Sequence, residues 1–236
     1  MSVLAKRVSR LHKIIGVVAG LQILFWTVSG LFFTLFPMET IRGDLWRPVI
    51  EHGSLADMSV TLSAEDVVQQ AGSDISSLEL KPFLGAPVWL VESRAGRQMI
   101  DARTGDVRSP LSQTDIDRLV DRFDDRPSGL GSLTVTYLIH ENPLREYGGP
   151  LPTWVLEYEP QKQRIYVDAV TGDIRAVRTT KWRIFDVLWR FHIMDITGED
   201  RFDTWWIKLF AFLGLTMVLS GFVILVDRAR KGRLFG

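Results

Sequence analysis

Cysteine is absent from this sequence of 236 residues. Its absence excludes disulfides, thiolate catalysis, iron–sulfur ligation and c-type haem attachment. The hydrolase motif Gly-x-Ser-x-Gly, the metalloprotease motif His-Glu-x-x-His and a glycine-rich phosphate loop before Lys-Ser/Thr are also missing. No familiar catalytic motif therefore assigns the chain to an enzyme class, and the fold depends on its hydrophobic core without covalent cross-links.

Charge is nearly absent from two long apolar stretches. Residues 14–36 carry no charged side chain, and residues 205–226 carry one, Lys208. Each stretch reaches the roughly 20 residues that a helix needs to cross a hydrocarbon core. A buried core helix, or a signal peptide for the first stretch, is the alternative, but both are usually shorter, and residues 32–37 offer no small-residue cleavage site. We predict two transmembrane helices, at 14–37 and 205–226.

Basic residues flank the two stretches at their outer ends. They are Lys6, Arg7, Arg10 and Lys13 before the first stretch, and Arg228, Arg230, Lys231 and Arg233 after the second. Because such residues concentrate on the cytoplasmic side, we expect both termini in the cytoplasm and residues 38–204 in the periplasm of a bacterial inner membrane. Residues 38–204 are acidic on balance, so nucleic acid is not an expected partner.

The region between the two stretches repeats itself. The sequence IDARTGDVR at 100–108 is similar to VDAVTGDIR at 167–175, and strand-like runs precede the two copies at 87–92 and 152–157. Each copy therefore predicts a strand, a turn, a second strand, a Thr-Gly turn and a third strand. Upstream of each copy, a Ser is followed three residues later by Asp, which is typical of a helix start. These pairs are Ser63 with Asp66 and Ser112 with Asp115.

We therefore predict two units of one helix and an antiparallel sheet, with the helix packed on one sheet face. The second unit carries an insertion, 127–150, which is a candidate binding surface. Acids and bases alternate over 115–126, a pattern typical of a solvated helix face. The predicted boundaries are 1–13 for the N-terminus, 14–37 for the first span, 38–61 for a linker, 62–110 and 111–180 for the repeats, 181–204 for an interfacial amphipathic segment, 205–226 for the second span and 227–236 for the tail.

The repeated Asp-Ala-x-Thr-Gly-Asp turn after a helix resembles the PepSY module, here present twice. The chain as a whole resembles the PepSY-associated transmembrane family in the segments LHKIIG at 11–16, WTVSG at 26–30, FHIMD at 191–195 and VLSG at 218–221. The resemblance implies an α+β membrane protein in which two transmembrane helices flank a periplasmic domain of two PepSY-like repeats. Larger relatives include ferrisiderophore reductases, whose four spans hold b-type haem and carry electrons to the periplasm.

Two of the four histidines lie at the predicted membrane boundaries. His12 precedes the first span, and His192 shares an apolar helical face with residues such as Phe185 and Trp189. By residue type alone both fit ordinary interfacial positions, although an imidazole there can also ligate haem iron. His52 and His140 have no second ligand at metal spacing, so we interpret them as surface residues.

Two functions follow as hypotheses. The first is an electron-transfer protein that binds haem b through His12 and His192 and passes electrons to a periplasmic acceptor such as a ferric chelate. The two histidines are a bilayer apart, so the sites require a parallel homodimer, whose close approach Gly16 and Gly20 would allow. The second is a non-catalytic accessory subunit, anchored in the lipid bilayer by its two spans, which binds a protein partner or a larger membrane complex through the PepSY-like pair.

Overall fold

The computed structural model describes residues 3–72, 74–124, 129–195, 198, 201 and 203–232. The chain divides into two compact units. The helical unit comprises Met1–Met38 and Ile184–Gly236, and the sheet unit comprises Glu39–Arg183. Of the residues named above, Asp125, Arg126, the first two residues of the predicted insertion and Arg233 lie outside the described residues.

The described elements mix helices with antiparallel strands, as predicted. The helices are α1 (Val3–Leu35), α2 (Met38–Arg42), α3 (Ala64–Ala71), α4 (Gln113–Asp121), α5 (Thr180–His192) and α6 (Trp205–Arg230). The strands are β1 (Val49–Ile50), β2 (Ile75–Phe83), β3 (Ala86–Ser93), β4 (Gly96–Asp101), β5 (Phe123–Asp124), β6 (Ser132–Ile139), β7 (Thr153–Glu159), β8 (Gln163–Asp168) and β9 (Ile174–Arg178). The mixed α+β class is therefore confirmed.

The two apolar stretches form helices long and apolar enough to cross a membrane, over Arg7–Leu35 and Trp205–Arg230. Most of their large apolar side chains point outwards, as Val17 does with 81% of its surface exposed. Small residues lie where the helices pack, since Ala19, Ser29 and Ser220 are buried. The outward apolar surface distinguishes both helices from the core helix of a soluble domain, which buries its apolar face.

The sheet unit contains two larger antiparallel sheets, with strand orders β2-β3-β4 and β6-β7-β8-β9, and the short pair β1-β5. One hydrophobic core joins both larger sheets to α4. Its buried members include Phe83 and Val88 of the first sheet, Leu156 of the second, and Ile116 and Leu119 of α4. The helix therefore lies against the sheets through its apolar face, which is the arrangement that a capped amphipathic helix requires.

Both predicted helix starts form capping boxes. The Ser63 hydroxyl accepts from the Asp66 N–H and the Asp66 carboxylate accepts from the Ser63 N–H, and Ser112 and Asp115 make the same pair of bonds. Each box satisfies amide donors that the first helical turn leaves free.

The two Thr-Gly turns carry the same hydrogen bonds. In the first turn the Gly105 N–H donates to the Asp101 carbonyl at 2.9 Å, and in the second the Gly172 N–H donates to the Asp168 carbonyl at 2.9 Å. Each Asp side chain also accepts from the backbone N–H two residues later, at 2.9 Å in both copies. An Asp at the start of the turn therefore fixes its shape by bonding the backbone that follows.

The segment predicted as an insertion contains β6, which pairs with β7 as β2 pairs with β3. The first sheet closes this pair with a two-residue turn, Leu84-Gly85, whereas the second uses the longer connection 140–152. In that connection Tyr147 is buried and stacks on Tyr166 at 4.5 Å between ring centroids. The connection therefore covers the outer face of the second sheet.

Candidate functional site

His192 lies at the end of α5 and packs against α1 inside the helical unit. Its Nδ1 is 2.7 Å from Ser29 Oγ, and the Trp26 indole N–H donates to its carbonyl at 2.6 Å. The Phe33 ring meets the imidazole edge-on at 5.4 Å, and the Trp189 ring lies parallel to it at 6.3 Å between centroids. The imidazole is thus held by one polar contact within an aromatic environment.

His12 has the same kind of contact at another point of the helical unit. Its Nδ1 is 2.8 Å from Ser220 Oγ of α6. A Cβ placed on the neighbouring Gly221 would lie 3.5 Å from His12 Cε1, so the missing side chain lets the ring lie close to α6. The two predicted histidines therefore each pair with a serine on a different helix.

The contacts of the two serines bear on which imidazole nitrogen carries the proton. Ser29 Oγ donates to the Phe25 carbonyl at 2.6 Å, and Ser220 Oγ donates to the Met217 carbonyl at 2.9 Å. A hydroxyl has one proton, so a serine that donates it to the carbonyl of its own helix accepts a hydrogen bond from the histidine Nδ1–H. The geometry therefore favours the Nδ1–H tautomer at both histidines, which leaves the Nε2 lone pair available. Metal-bound histidines commonly use this arrangement, with the second N–H donated to a nearby oxygen.

The two imidazoles lie at separate levels of the helical unit. His12 belongs to α1, and His192 contacts α1 at Ser29. At about 1.5 Å per residue these two positions on α1 are about 25 Å apart along the helix axis. One metal ion cannot contact both histidines of one chain, and no cluster of three or more His, Cys, Asp or Glu occurs within the described ranges.

The Gly16 and Gly20 pair has two different environments. A Cβ on Gly16 would lie 3.4 Å from the Met217 side chain of α6, so this glycine packs within its own chain. A Cβ on Gly20 would meet no atom within 4 Å. Only Gly20 leaves α1 open at this point for another helix.

The histidines of the sheet unit differ from one another. His140 is exposed, as predicted. His52 is partly buried and stacks on Phe83 at 5.5 Å. Its Nδ1 accepts from the Leu84 N–H at 3.4 Å and its carbonyl accepts from the Gly85 N–H at 3.1 Å, so it supports the turn between β2 and β3. Burial, followed by the charge of Lys81, lowers the pKa of His52.

A buried ion pair joins the two copies of the repeat. The Asp168 carboxylate is fully buried, and its Oδ2 accepts from Arg97 Nη1 at 2.7 Å and from Arg175 Nη2 at 2.9 Å. Burial alone would raise the pKa of Asp168, but the hydrogen bonds from Arg97, the Val170 N–H and Arg175 outweigh it and lower the pKa. Since Arg97 belongs to β4 of the first copy, the contact fixes that sheet against the second Thr-Gly turn.

Sequence reasoning missed the two serines as parts of the site. Ser29 and Ser220 stand in the segments WTVSG and VLSG, which carried only the family resemblance. Polar residues inside apolar helices are the available signal, because a hydroxyl there bonds to its own helix and can accept from a neighbouring one.

No family model and no curated protein matches this chain. Among solved structures, the chain is similar to a predicted lipoprotein of Clostridium difficile 630. The two share 18% sequence identity over 53% of this chain and 97% of the other, with a TM-score of 0.20. A similarity of this size supports no conclusion about family or function, so the resemblance to the PepSY-associated transmembrane family stays a prediction.

Proposed function

We propose that this chain is an electron-transfer protein of the bacterial inner membrane that binds haem b as a homodimer through His12 and His192. The observation that carries the proposal is the matched pair of histidine–serine contacts. Each contact leaves a ring nitrogen available for iron, and the two lie about 25 Å apart along α1. That separation is comparable to the roughly 30 Å hydrocarbon core that electrons must cross.

Membrane insertion of α1 and α6 is part of the proposal. Its support is the length of both helices, their exposed apolar side chains and the bases that flank them. In this topology both termini are cytoplasmic and residues 38–204 are periplasmic. A backbone that crosses lipid must satisfy its own hydrogen bonds, and a continuous helix does so.

The residues around each histidine fit haem in different ways. Near His192, the rings of Phe33 and Trp189 supply apolar surface of the kind that lines a haem pocket. Near His12, Gly221 lets the imidazole lie close to α6, and further along α1 Gly20 leaves space beside the helix backbone. Each level of one chain offers one imidazole, so a haem held there would also need the same histidine of a second copy.

In this function the chain orients ligands and controls their surroundings. Haem, when bound, supplies a one-electron iron couple. Ser29 and Ser220 hold the imidazoles in the tautomer with a free Nε2, and Phe33 and Trp189 exclude water from the level of His192. The acceptor is a periplasmic oxidant such as a ferric chelate, as the family resemblance implies.

A reduced-minus-oxidised absorbance spectrum tests the proposal directly. The full chain is expressed with ample haem, purified in mild detergent and compared with H12A, H192A and the double variant. We expect a b-type spectrum, about half the haem in each single variant and none in the double variant. H52A and H140A are matched controls that retain full occupancy.

The serines provide a second readout that does not depend on occupancy. S29A and S220A remove the partner of each Nδ1–H, so we expect haem to remain bound with a changed reduction potential. A folded, colourless parent chain, or haem loss in H52A equal to that in H12A, would contradict the proposal.

The same histidine–serine contacts also fit a second function, in which they only hold the helices together. Each imidazole already has a partner in its own chain, which is also what helix packing requires. Among the described strands, β2 and β6 each pair on one side only, so each offers an edge to which a partner strand can add. The chain would then be an accessory subunit anchored by α1 and α6. Co-purification of a stoichiometric membrane or periplasmic partner with a colourless chain would support this alternative.

A further inference from the structure

Four arginines line one cavity of the sheet unit, which has a volume of about 310 Å³. They come from the first Thr-Gly turn and its following strand segment, and from the second half of α4 and its C-cap. The lining residues are Leu84, Gly85, Ala86, Arg103, Arg108, Arg118, Asp121 and Arg122. One carboxylate therefore faces four guanidinium groups, in a periplasmic region whose overall charge is acidic.

Two of these arginines already have carboxylate partners. Arg108 Nη2 is 2.8 Å from Asp115 Oδ1, and its guanidinium lies over the Phe83 ring at 5.5 Å. Arg103 Nε lies 3.8 Å from Asp101 Oδ1. These contacts fix Arg108 in place and leave the half-exposed Arg103 loosely held.

The other two arginines have no such partner. Within the part of the chain that the structure describes, the side chains of Arg118 and Arg122 make no hydrogen bond or ion pair. They are one helical turn apart, so they share a face of α4. Arg122 nevertheless lies close to the β2–β3 turn, because a Cβ on Gly85 would be 3.3 Å from its Nη2.

The geometry points to a binding site for a phosphate group in this cavity. Converging guanidinium groups repel one another, and an anion that accepts hydrogen bonds from several of them removes that repulsion. The planar fork of arginine matches the oxygens of phosphate bidentately. The two unpaired guanidinium groups outweigh the carboxylate of Asp121, so the cavity has a net positive charge that attracts phosphate, and its volume admits a small phosphorylated compound.

Comparison of the two repeats shows how the first Thr-Gly turn differs from the second, and the site lies between that first turn and α4 of the second repeat. Arg108 and Arg175 occupy equivalent positions after their turns, but Arg175 Nη2 binds the Asp168 carboxylate at 2.9 Å. Arg108 Nη1 lies 3.9 Å from the equivalent Asp101 and instead binds Asp115 of α4. The arginine after the first turn therefore lines the cavity, whereas the arginine after the second turn binds the buried Asp168.

Equilibrium dialysis with radiolabelled inorganic phosphate tests this site on the full chain in mild detergent, with ionic strength fixed by sodium chloride. We expect saturable binding that weakens about tenfold in R118Q and in R122Q, because each variant loses a charge-assisted hydrogen bond. R94Q is the matched control, since Arg94 is an exposed arginine of the same unit that does not line the cavity. Its affinity should stay within about twofold of the parent.

Competition experiments in the same dialysis assay distinguish the chemical class of the ligand. Glycerol 3-phosphate competing better than inorganic phosphate would identify a phosphate monoester, and weaker competition would identify free phosphate. Succinate, a dianion without phosphate, should compete poorly. No binding, equal loss in R94Q and R118Q, or stronger competition by succinate would overturn the inference.

Folding of the variants is checked without phosphate. Both substituted arginines are exposed and lack partners, so R118Q and R122Q should melt at or above the parent temperature as like charges are removed. A lower melting temperature in phosphate-free buffer would show that the arginines have a structural role and would also overturn the inference.

Discussion

Replacing Asp168 by Asn tests the buried ion pair, and the same change at Asp101, the equivalent residue of the first copy, tests a carboxylate with only distant arginine neighbours. Asn keeps Oδ1, which accepts from the Val170 N–H at 2.9 Å, but it removes the charge that Arg97 and Arg175 contact. The same change at Asp101 affects a carboxylate that is 13% exposed and whose arginine neighbours are 3.8 and 3.9 Å away. D101N is therefore the matched control.

The expected loss of stability in D168N follows from the burial of its carboxylate. Breaking a buried pair from one side costs about 3–5 kcal/mol. The Arg97 and Arg175 side chains are 25% and 37% exposed and so keep some water, which places D168N at the lower end, about 3 kcal/mol. The long contacts of Asp101 are worth about 0–1 kcal/mol. We therefore expect D168N to lower the free energy of unfolding by at least about 2 kcal/mol more than D101N, although both variants replace Asp by Asn.

Amide hydrogen exchange measures this difference within the full chain. Peptides covering β7 and β8 report the opening free energy of the sheet around Asp168. A loss of about 3 kcal/mol corresponds to exchange more than about a hundredfold faster in D168N at neutral pH. The effect should be present above the ordinary carboxyl pKa of 3.8 and disappear as pH falls from there through the lowered pKa of Asp168. Equal acceleration in D168N and D101N would refute the reasoning.

Two further predictions concern the β2–β3 turn and the second Thr-Gly turn. Because the pKa of His52 is lowered, folding favours its neutral form, and the melting temperature should fall as pH drops from about 6.5 towards the lowered pKa. H52Q should lose this pH dependence of the melting temperature, and the control H140Q should keep it. G172A should destabilise the sheet unit by about 2 kcal/mol more than G105A, as measured by thermal unfolding. A Cβ on residue 172 would clash with the Phe83 ring, whereas the nearest atom to a Cβ on residue 105 is 3.6 Å away. Equal losses of stability in the two variants would contradict this prediction.

Local signals predicted much of the fold. The Ser-x-x-Asp pairs at 63 and 112 became capping boxes because the bonds involve residues three apart. The Thr-Gly turns formed for the same reason, since Asp101 and Asp168 bond the backbone that follows them. The strand β2, by contrast, was not predicted, and β6 was assigned to an insertion. The polar and apolar residues of β2 follow in an irregular order, whereas β6 has a strand-like sequence but pairs with β7 across the long connection 140–152, so neither pairing is encoded locally.

The candidate sites were less predictable because they arise from tertiary contacts. His12 and His192 could be selected by position, but their serine partners lie about 160 or more residues away in sequence, and no local pattern joins them. The arginines of α4 appeared as a solvated face, and helical periodicity cannot show that Arg118 and Arg122 meet the turn of another sheet. His52 likewise owes its burial to a tertiary contact, the stacking of its ring on Phe83 of β2.

The different environments of the two Thr-Gly turns explain how a repeated sequence yields two roles. The first sheet covers the second turn, with Phe83 against Gly172 and Lys81 Nζ 3.2 Å from Asp173 Oδ1. The turn is buried there, so its residues stabilise the fold and are unavailable to a ligand. The atoms nearest a Cβ on Gly105 of the first turn belong to Gln70 and Leu62 rather than to a strand, and Arg103 is exposed. Burial of the second turn thus stabilises the sheet unit, while the exposed first turn and α4 of the second copy together present arginines to an anion.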